Sequence, residues 1–121
     1  MASLILKTMI KIYHNNQCSK SQCALELLTE SGQPYQVVEY LKDTPSAEEL
    51  REILAKLQMK PEDLVRKGEK LYQEQFAGKT FSDAEWIEIL VANPILIERP
   101  IVVTDKGAAI GRPVENILKI M

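Results

Sequence analysis

Cys18 is the residue best placed for chemistry. It stands between a polar segment, His14-Asn15-Asn16-Gln17, and a helical pattern that begins at Ser21. At such a strand-to-helix junction, unpaired backbone N–H groups and the positive end of the helix dipole favour a thiolate. Asn15, Asn16, Ser19 and Ser21 supply hydrogen-bond donors and Lys20 supplies positive charge, whereas a buried structural cysteine more naturally has apolar neighbours. These features point to a nucleophilic thiol, with an inert loop cysteine as the plain alternative.

Cys23 follows five positions later. On one helix the two cysteines would differ by about 140° in direction and ~7.5 Å in rise, a separation that closes no disulfide without distortion. With Cys18 in a loop instead, sequence does not fix the distance, and a bridge stays open. Cys23 reads as a small apolar residue on the inner face of the helix, beside Ala24 and Leu27.

Three arginines fall at breaks in regular structure: Arg66 before Lys67-Gly68, Arg99 before Pro100, and Arg112 between Gly111 and Pro113. A guanidinium is a rigid planar fork suited to an oxyanion, and residues on different elements are free to converge on one. Each arginine taken alone reads equally as a surface ion-pair partner. His14 either assists the thiol or orients its loop through a hydrogen bond. Pro100 precedes Ile101-Val102-Val103, where it opens a strand without removing an interior ladder bond; on residue grounds alone it is a trans proline.

The elements that must position these residues are those of one α/β domain. The chain has 121 residues, 45% hydrophobic and 26% charged, so one domain with a modest core is expected, spanning residues 9–121 after a short extension, 1–8. Fifteen Lys+Arg against seventeen Asp+Glu leave a net charge of −2, too balanced for a general nucleic-acid or polybasic membrane binder. Any anion site must therefore be built locally. No apolar run approaches a membrane span, and the amino terminus lacks the features of a secretory signal, so a cytoplasmic location is expected. Two cysteines and one histidine make neither a disulfide framework nor a structural zinc site.

Met9–Tyr13 alternates like a strand, Ser21–Ser31 is helical and stopped by Gly32 and Pro34, and Tyr35–Tyr40 is a second strand, parallel to the first. Ser46–Glu49 is a capping box before a helix with Leu50, Ile53, Leu54 and Leu57 on one face. Pro61 to Gly78 is less regular, with a short helix over Leu71–Phe76. Ser82–Glu85 caps another helix that ends at Asn93-Pro94. Ile101–Thr104 and Ala108–Ile110 flank Asp105-Lys106-Gly107 as a hairpin, and Pro113 starts a final helix whose inner face is Val114, Ile117, Leu118 and Met121. The resulting order, βαβ, a helical middle, ββ and a closing α, is that of a thioredoxin-like domain. It has a mixed four-stranded sheet and an inserted helical region.

These blocks resemble the glutaredoxin-linked arsenate reductase (ArsC) family. The match rests on Ile12-Tyr13-His14-Asn15 with Cys18-Ser19-Lys20-Ser21, on Leu64-Val65-Arg66-Lys67, on Asn93-Pro94 with Glu98-Arg99-Pro100-Ile101-Val102-Val103, and on Ile110-Gly111-Arg112-Pro113. It covers nearly all of the chain after residue 8. The resemblance implies that Cys18 is the catalytic nucleophile, that Arg66, Arg99 and Arg112 bind the substrate oxyanion, and that His14 and Ser21 support the thiol. It also implies a cis peptide at Pro100, which overrides the trans expectation.

The implied reaction is reduction of arsenate, or a similar small oxyanion, to arsenite through a Cys18 adduct. Glutathione is the co-substrate and glutaredoxin the reducing partner; no bound metal or organic cofactor is needed, and no nucleic acid or membrane takes part. Asn16-Gln17 and Gln22 depart from the common family residues, which keeps a second reading open: a glutathione-dependent thiol reductase or glutathione-binding protein. A third, an Spx-like regulator that binds RNA polymerase, calls for a Cys-x-x-Cys pair, and here the second position is Ser21.

Overall fold

The computed structural model describes residues 10–15 and 18–121. The expected extension 1–8, the expected first strand residue Met9, and Asn16-Gln17 lie outside the described residues. Strand β1, Ile10–His14, is central because both of its edges are taken. On one side it pairs in parallel with β2, Tyr35–Glu39, from Ile10 opposite Tyr35 to His14 opposite Glu39. On the other it runs antiparallel to β3, Ile101–Thr104, with Tyr13 opposite Ile101. A tight turn leads to β4, Gly107–Ile110, with Thr104 opposite Gly107 and Ile101 opposite Ile110. The order β2-β1-β3-β4 is the mixed four-stranded sheet expected of a thioredoxin-like fold.

Helix α1, Ser19–Ser31, connects β1 to β2. It starts two residues before the expected Ser21, because Cys18 caps it in an extended conformation and accepts the Gln22 N–H at 3.1 Å. Gly32 ends it with φ +74°, a left-handed conformation that glycine adopts without steric cost, and donates its N–H to Thr29 O. Strand β2 stops at Glu39, one residue short of Tyr40, since the Glu39 carbonyl is claimed by the N–H groups of Lys42 and Asp43.

Contacts cluster in two compact units, one holding the sheet (residues up to Asp43 and from Arg99 onward), the other Thr44–Glu98. In the sheet unit, Ile10 and Ile12 of β1, Ala24 and Leu28 of α1, Val102 of β3 and Ile117 form the core. The closing segment is a 3-10 helix, Val114–Ile120, not an α-helix, and Pro113 is its N-cap, not its first residue. Three residues per turn put i and i+3 on one line. Val114, Ile117 and Ile120 therefore pack in the core region, whereas Leu118, expected inside, is 59% exposed. Thr104 Oγ1 donates to Ile120 O at 2.6 Å and accepts the Lys106 N–H, tying this segment to the hairpin.

In the second unit, α2, Ala47–Leu57, buries Leu50, Ile53 and Leu54, while Leu57 is only partly covered. Ser46 Oγ accepts the Glu49 N–H at 3.1 Å, as the capping reading anticipates. The less regular stretch holds a 3-10 turn, Pro61–Leu64, and a short α3, Lys70–Gln75. Helix α4, Asp83–Ala92, carries both bonds of its capping box between Ser82 and Glu85. It packs Trp86 edge-on to Phe81 at 4.9 Å between ring centres. A 3-10 turn, Pro94–Leu96, follows. Val65 then bridges Ile97, flanked by Arg66 N–H to Leu96 O at 2.7 Å and Glu98 N–H to Leu64 O at 2.8 Å. Among the described residues no helix is long and apolar enough to cross a membrane.

Candidate active site

Strand directions bring the candidate residues of the sheet unit to one end. β1 and β4 finish there and β3 begins there, so Cys18 follows β1, Arg99 precedes β3 and Arg112 follows β4. The hairpin pairing continues one step past the strands through Gly111 N–H to Pro100 O at 2.9 Å, and Arg99 and Arg112 are the chain neighbours of these two residues.

Cys18 is 8% exposed and donates its N–H to Asn15 O at 3.0 Å. Asn15 in turn donates its N–H to Ser21 Oγ at 3.3 Å, and Ser21 is fully buried. Ser21 is the third residue of α1, the position whose side chain reaches back toward the N-cap. The first turn of α1 carries no acidic residue, so nothing there offsets the positive end of the helix dipole around the thiol.

His14, at the end of β1, is buried. Burial pushes its pKa below the ordinary histidine value, and Glu39, its partner across the parallel ladder, opposes that shift. The ring is therefore neutral at pH 7, and Nδ1 is buried without a hydrogen-bond partner. Arg99 Nε is likewise buried and unpartnered. Since buried polar atoms almost always have partners, two such atoms at one sheet end fit a polar ligand received from outside.

The Arg99–Pro100 peptide is cis, as the resemblance implies, and Arg112–Pro113 is cis as well. The second was not foreseen, although the two Arg-Pro dipeptides share the same local sequence. Pro100 is buried against the end of β4. A Cβ at Gly111 would stand 3.0 Å from both Pro100 Cγ and Ile117 Cδ1, so the glycine allows this close approach.

Cys18, His14, Ser21, Arg99, Pro100 and Arg112 thus belong to the sheet unit, and Arg66 belongs to the second unit. There Arg66 is half-buried, its Nη2 paired with Glu69 at 3.1 Å and its Nη1 donating to Ile95 O at 3.2 Å. Glu69 went unnoticed in the sequence, where its spacing of three from Arg66 was the available signal. Cys23 is exposed, against the expectation of an inner-face residue, because Ser21, Ala24 and Leu28 fill the buried side of α1. Neither cysteine is in a disulfide. Among the described residues no group of three or more His, Cys, Asp or Glu is arranged to hold a metal ion.

Comparison with known proteins places the chain in a family. The ArsC family profile matches residues 13–120. YfgD of Escherichia coli K12 is 45% identical over 114 residues, covering 93% of this chain and 96% of that protein. The arsenate reductase of Yersinia enterocolitica is 40% identical over 113 residues, 93% of this chain and 80% of that one. Among solved structures, the arsenate reductase from Vibrio cholerae superposes with a TM-score of 0.89 at 40% identity, over 94% of this chain and 98% of that one.

Proposed function

The chain belongs to the ArsC family, and from that premise we propose that it is an arsenate reductase, with Cys18 as nucleophile and Arg66, Arg99 and Arg112 as the groups that receive the oxyanion. The observation that carries the reading is the sheet end itself. Cys18 caps α1 after β1 ends, Arg99 and Arg112 lie on the segments that flank β3 and β4 at that same end, and Arg99 Nε is buried and unpartnered.

Cys18 thiolate attacks arsenic(V), forming an S–As bond as an arsenate oxygen leaves as hydroxide or water. The guanidinium forks neutralise the oxyanion and hold it for displacement. Glutathione thiolate then forms a second S–As bond as another arsenate oxygen leaves as hydroxide or water. Formation of a disulfide between glutathione and Cys18 delivers two electrons to arsenic, which departs as arsenite. Glutaredoxin, with a further glutathione, reduces that mixed disulfide and returns the Cys18 thiol. Ser21, whose hydroxyl accepts the Asn15 N–H, retains its own proton to donate to the Cys18 thiolate.

Neutral His14 contributes a polar nitrogen without adding charge. The cycle uses glutathione as co-substrate and needs no resident metal or organic cofactor. A cytoplasmic setting suits it, because glutathione is kept reduced there. The test is arsenate-dependent NADPH oxidation in a coupled system of glutathione, glutaredoxin and glutathione reductase. Turnover by wild type and none by Cys18→Ser is expected; equal rates in the two would overturn the proposal.

A further inference from the structure

The Arg66 guanidinium is fixed by two groups from different parts of its unit. Glu69 Oε2 lies 3.1 Å from Nη2, and Ile95 O accepts from Nη1 at 3.2 Å. Both side chains of the ion pair are largely covered, at 18% exposure for Arg66 and 23% for Glu69. The surrounding backbone is held as well. Arg66 N–H donates to Leu96 O at 2.7 Å, and Glu69 N–H donates to Arg66 O at 3.1 Å. A guanidinium has five N–H donors. Ile95 O accepts one of them at Nη1 and Glu69 is ion-paired at Nη2, so the fork is held from two sides with donors to spare.

We propose that Glu69 is a positioning residue, which locks the plane of the Arg66 guanidinium so that its remaining donors are presented to the oxyanion; this rests on the assignment of Arg66 to oxyanion binding made above. A surface ion pair between mobile side chains would hold no such plane. This pair has a second anchor on the Ile95 carbonyl and is shielded from water, so the fork is set before substrate arrives. Preorganised donors of this kind cost no reorganisation during the reaction. The same carboxylate offsets part of the Arg66 charge and so weakens its ground-state attraction for an anion. Loss of Glu69 therefore separates two effects: turnover falls as orientation is lost, while affinity for the anion does not.

The experiment compares wild type, Glu69→Ala and Glu69→Gln, with arsenate as the probe. Glu69→Ala is expected to lower kcat about tenfold, the scale of a modest misplacement of a binding group, with a KM for arsenate equal to or below that of wild type. Glu69→Gln keeps an acceptor oxygen at the same reach and is expected to restore kcat to within about threefold of wild type. In parallel, the Arg66 Nε–H resonance in 15N NMR is expected to be sharp and slow to exchange in wild type and Glu69→Gln, and broadened in Glu69→Ala. Wild-type kinetics in Glu69→Ala, or equal impairment of both variants, would overturn the positioning role. So would an Arg66 resonance unchanged by Glu69→Ala. If wild type itself does not reduce arsenate, the proposed function fails, and the NMR comparison still decides whether Glu69 orders Arg66.

Discussion

Replacing Ser21 with alanine tests the machinery around Cys18 in two separable ways. Ser21 is fully buried, and its Oγ accepts the Asn15 N–H at 3.3 Å, while Asn15 O accepts the Cys18 N–H at 3.0 Å. At 3.3 Å the bond is long for an N–H···O contact, so its own contribution is at the low end, ~0.5 kcal/mol. Ser21→Ala also leaves the Asn15 N–H without that acceptor, at a further cost of ~1 kcal/mol. The variant should thus be destabilised by about 1.5 kcal/mol in urea denaturation, with a Tm lower by roughly 4–6 °C.

The second effect concerns the thiolate. The proposed donation from the Ser21 hydroxyl to the thiolate is a charge-assisted hydrogen bond of ~1.5 kcal/mol, and its loss moves the Cys18 thiol upward by about one pH unit. The assay is the rate of iodoacetamide alkylation against pH. Because Cys23 is exposed and reacts too, the measurement is made in a Cys23→Ser background, with peptide mass spectrometry confirming the modified residue. Wild type should show a midpoint below the free-cysteine value of about 8.5, and Ser21→Ala a higher one. Unchanged stability together with an unchanged midpoint would refute the role given to this hydroxyl.

Arg99→Lys keeps the charge but not the planar fork, and should raise KM for arsenate by about tenfold or more, read in steady-state kinetics; unaltered kinetics would argue against oxyanion binding by Arg99. Cys23→Ser should retain most glutathione- and glutaredoxin-dependent turnover, since Cys23 faces outward; loss of activity with a Cys18–Cys23 disulfide in oxidised wild type would reassign it as a resolving thiol. For His14, burial lowers the folded-state pKa below the unfolded value of about 6.5. Its contribution to stability is therefore complete above about 6.5 and is lost as pH falls toward the folded value, because the unfolded chain takes up the proton first. Urea denaturation from about pH 7.5 to about pH 5.5 should show a larger loss for wild type than for His14→Gln, and parallel losses would contradict the linkage.

The parts of the fold set by local pattern were legible in the sequence. The β1–α1–β2 order, the Gly32 stop, the Ser46 and Ser82 caps and the β3–β4 hairpin each depend on residues a few positions apart. The convergence of Arg99 and Arg112 was not visible in the sequence, although the hairpin that follows Arg99 and precedes Arg112 was. What was not legible depended on a choice of helical period or on distant contacts. In the closing segment, Val114 and Ile117 suit both periods, and only the 3-10 form selects Ile120 over Leu118. Cys23 was misplaced because apolar residues on α1 span a wider arc than the buried one, and a polar Ser21 gave no sign of lying inside. The anchoring of Arg66 by Ile95 and Leu96 joins chain segments about thirty residues apart, which no local periodicity encodes.

The central claim, that Cys18 carries arsenic through the redox step, is tested most directly by trapping its product. Wild-type protein is incubated with glutathione, with and without arsenate and in the absence of glutaredoxin, and the cysteine peptides are then analysed by mass spectrometry. The account predicts a glutathione mixed disulfide on Cys18 that forms only when arsenate is present, with arsenite released in equal amount. Glutathionylation independent of arsenate, or confined to Cys23, would contradict it.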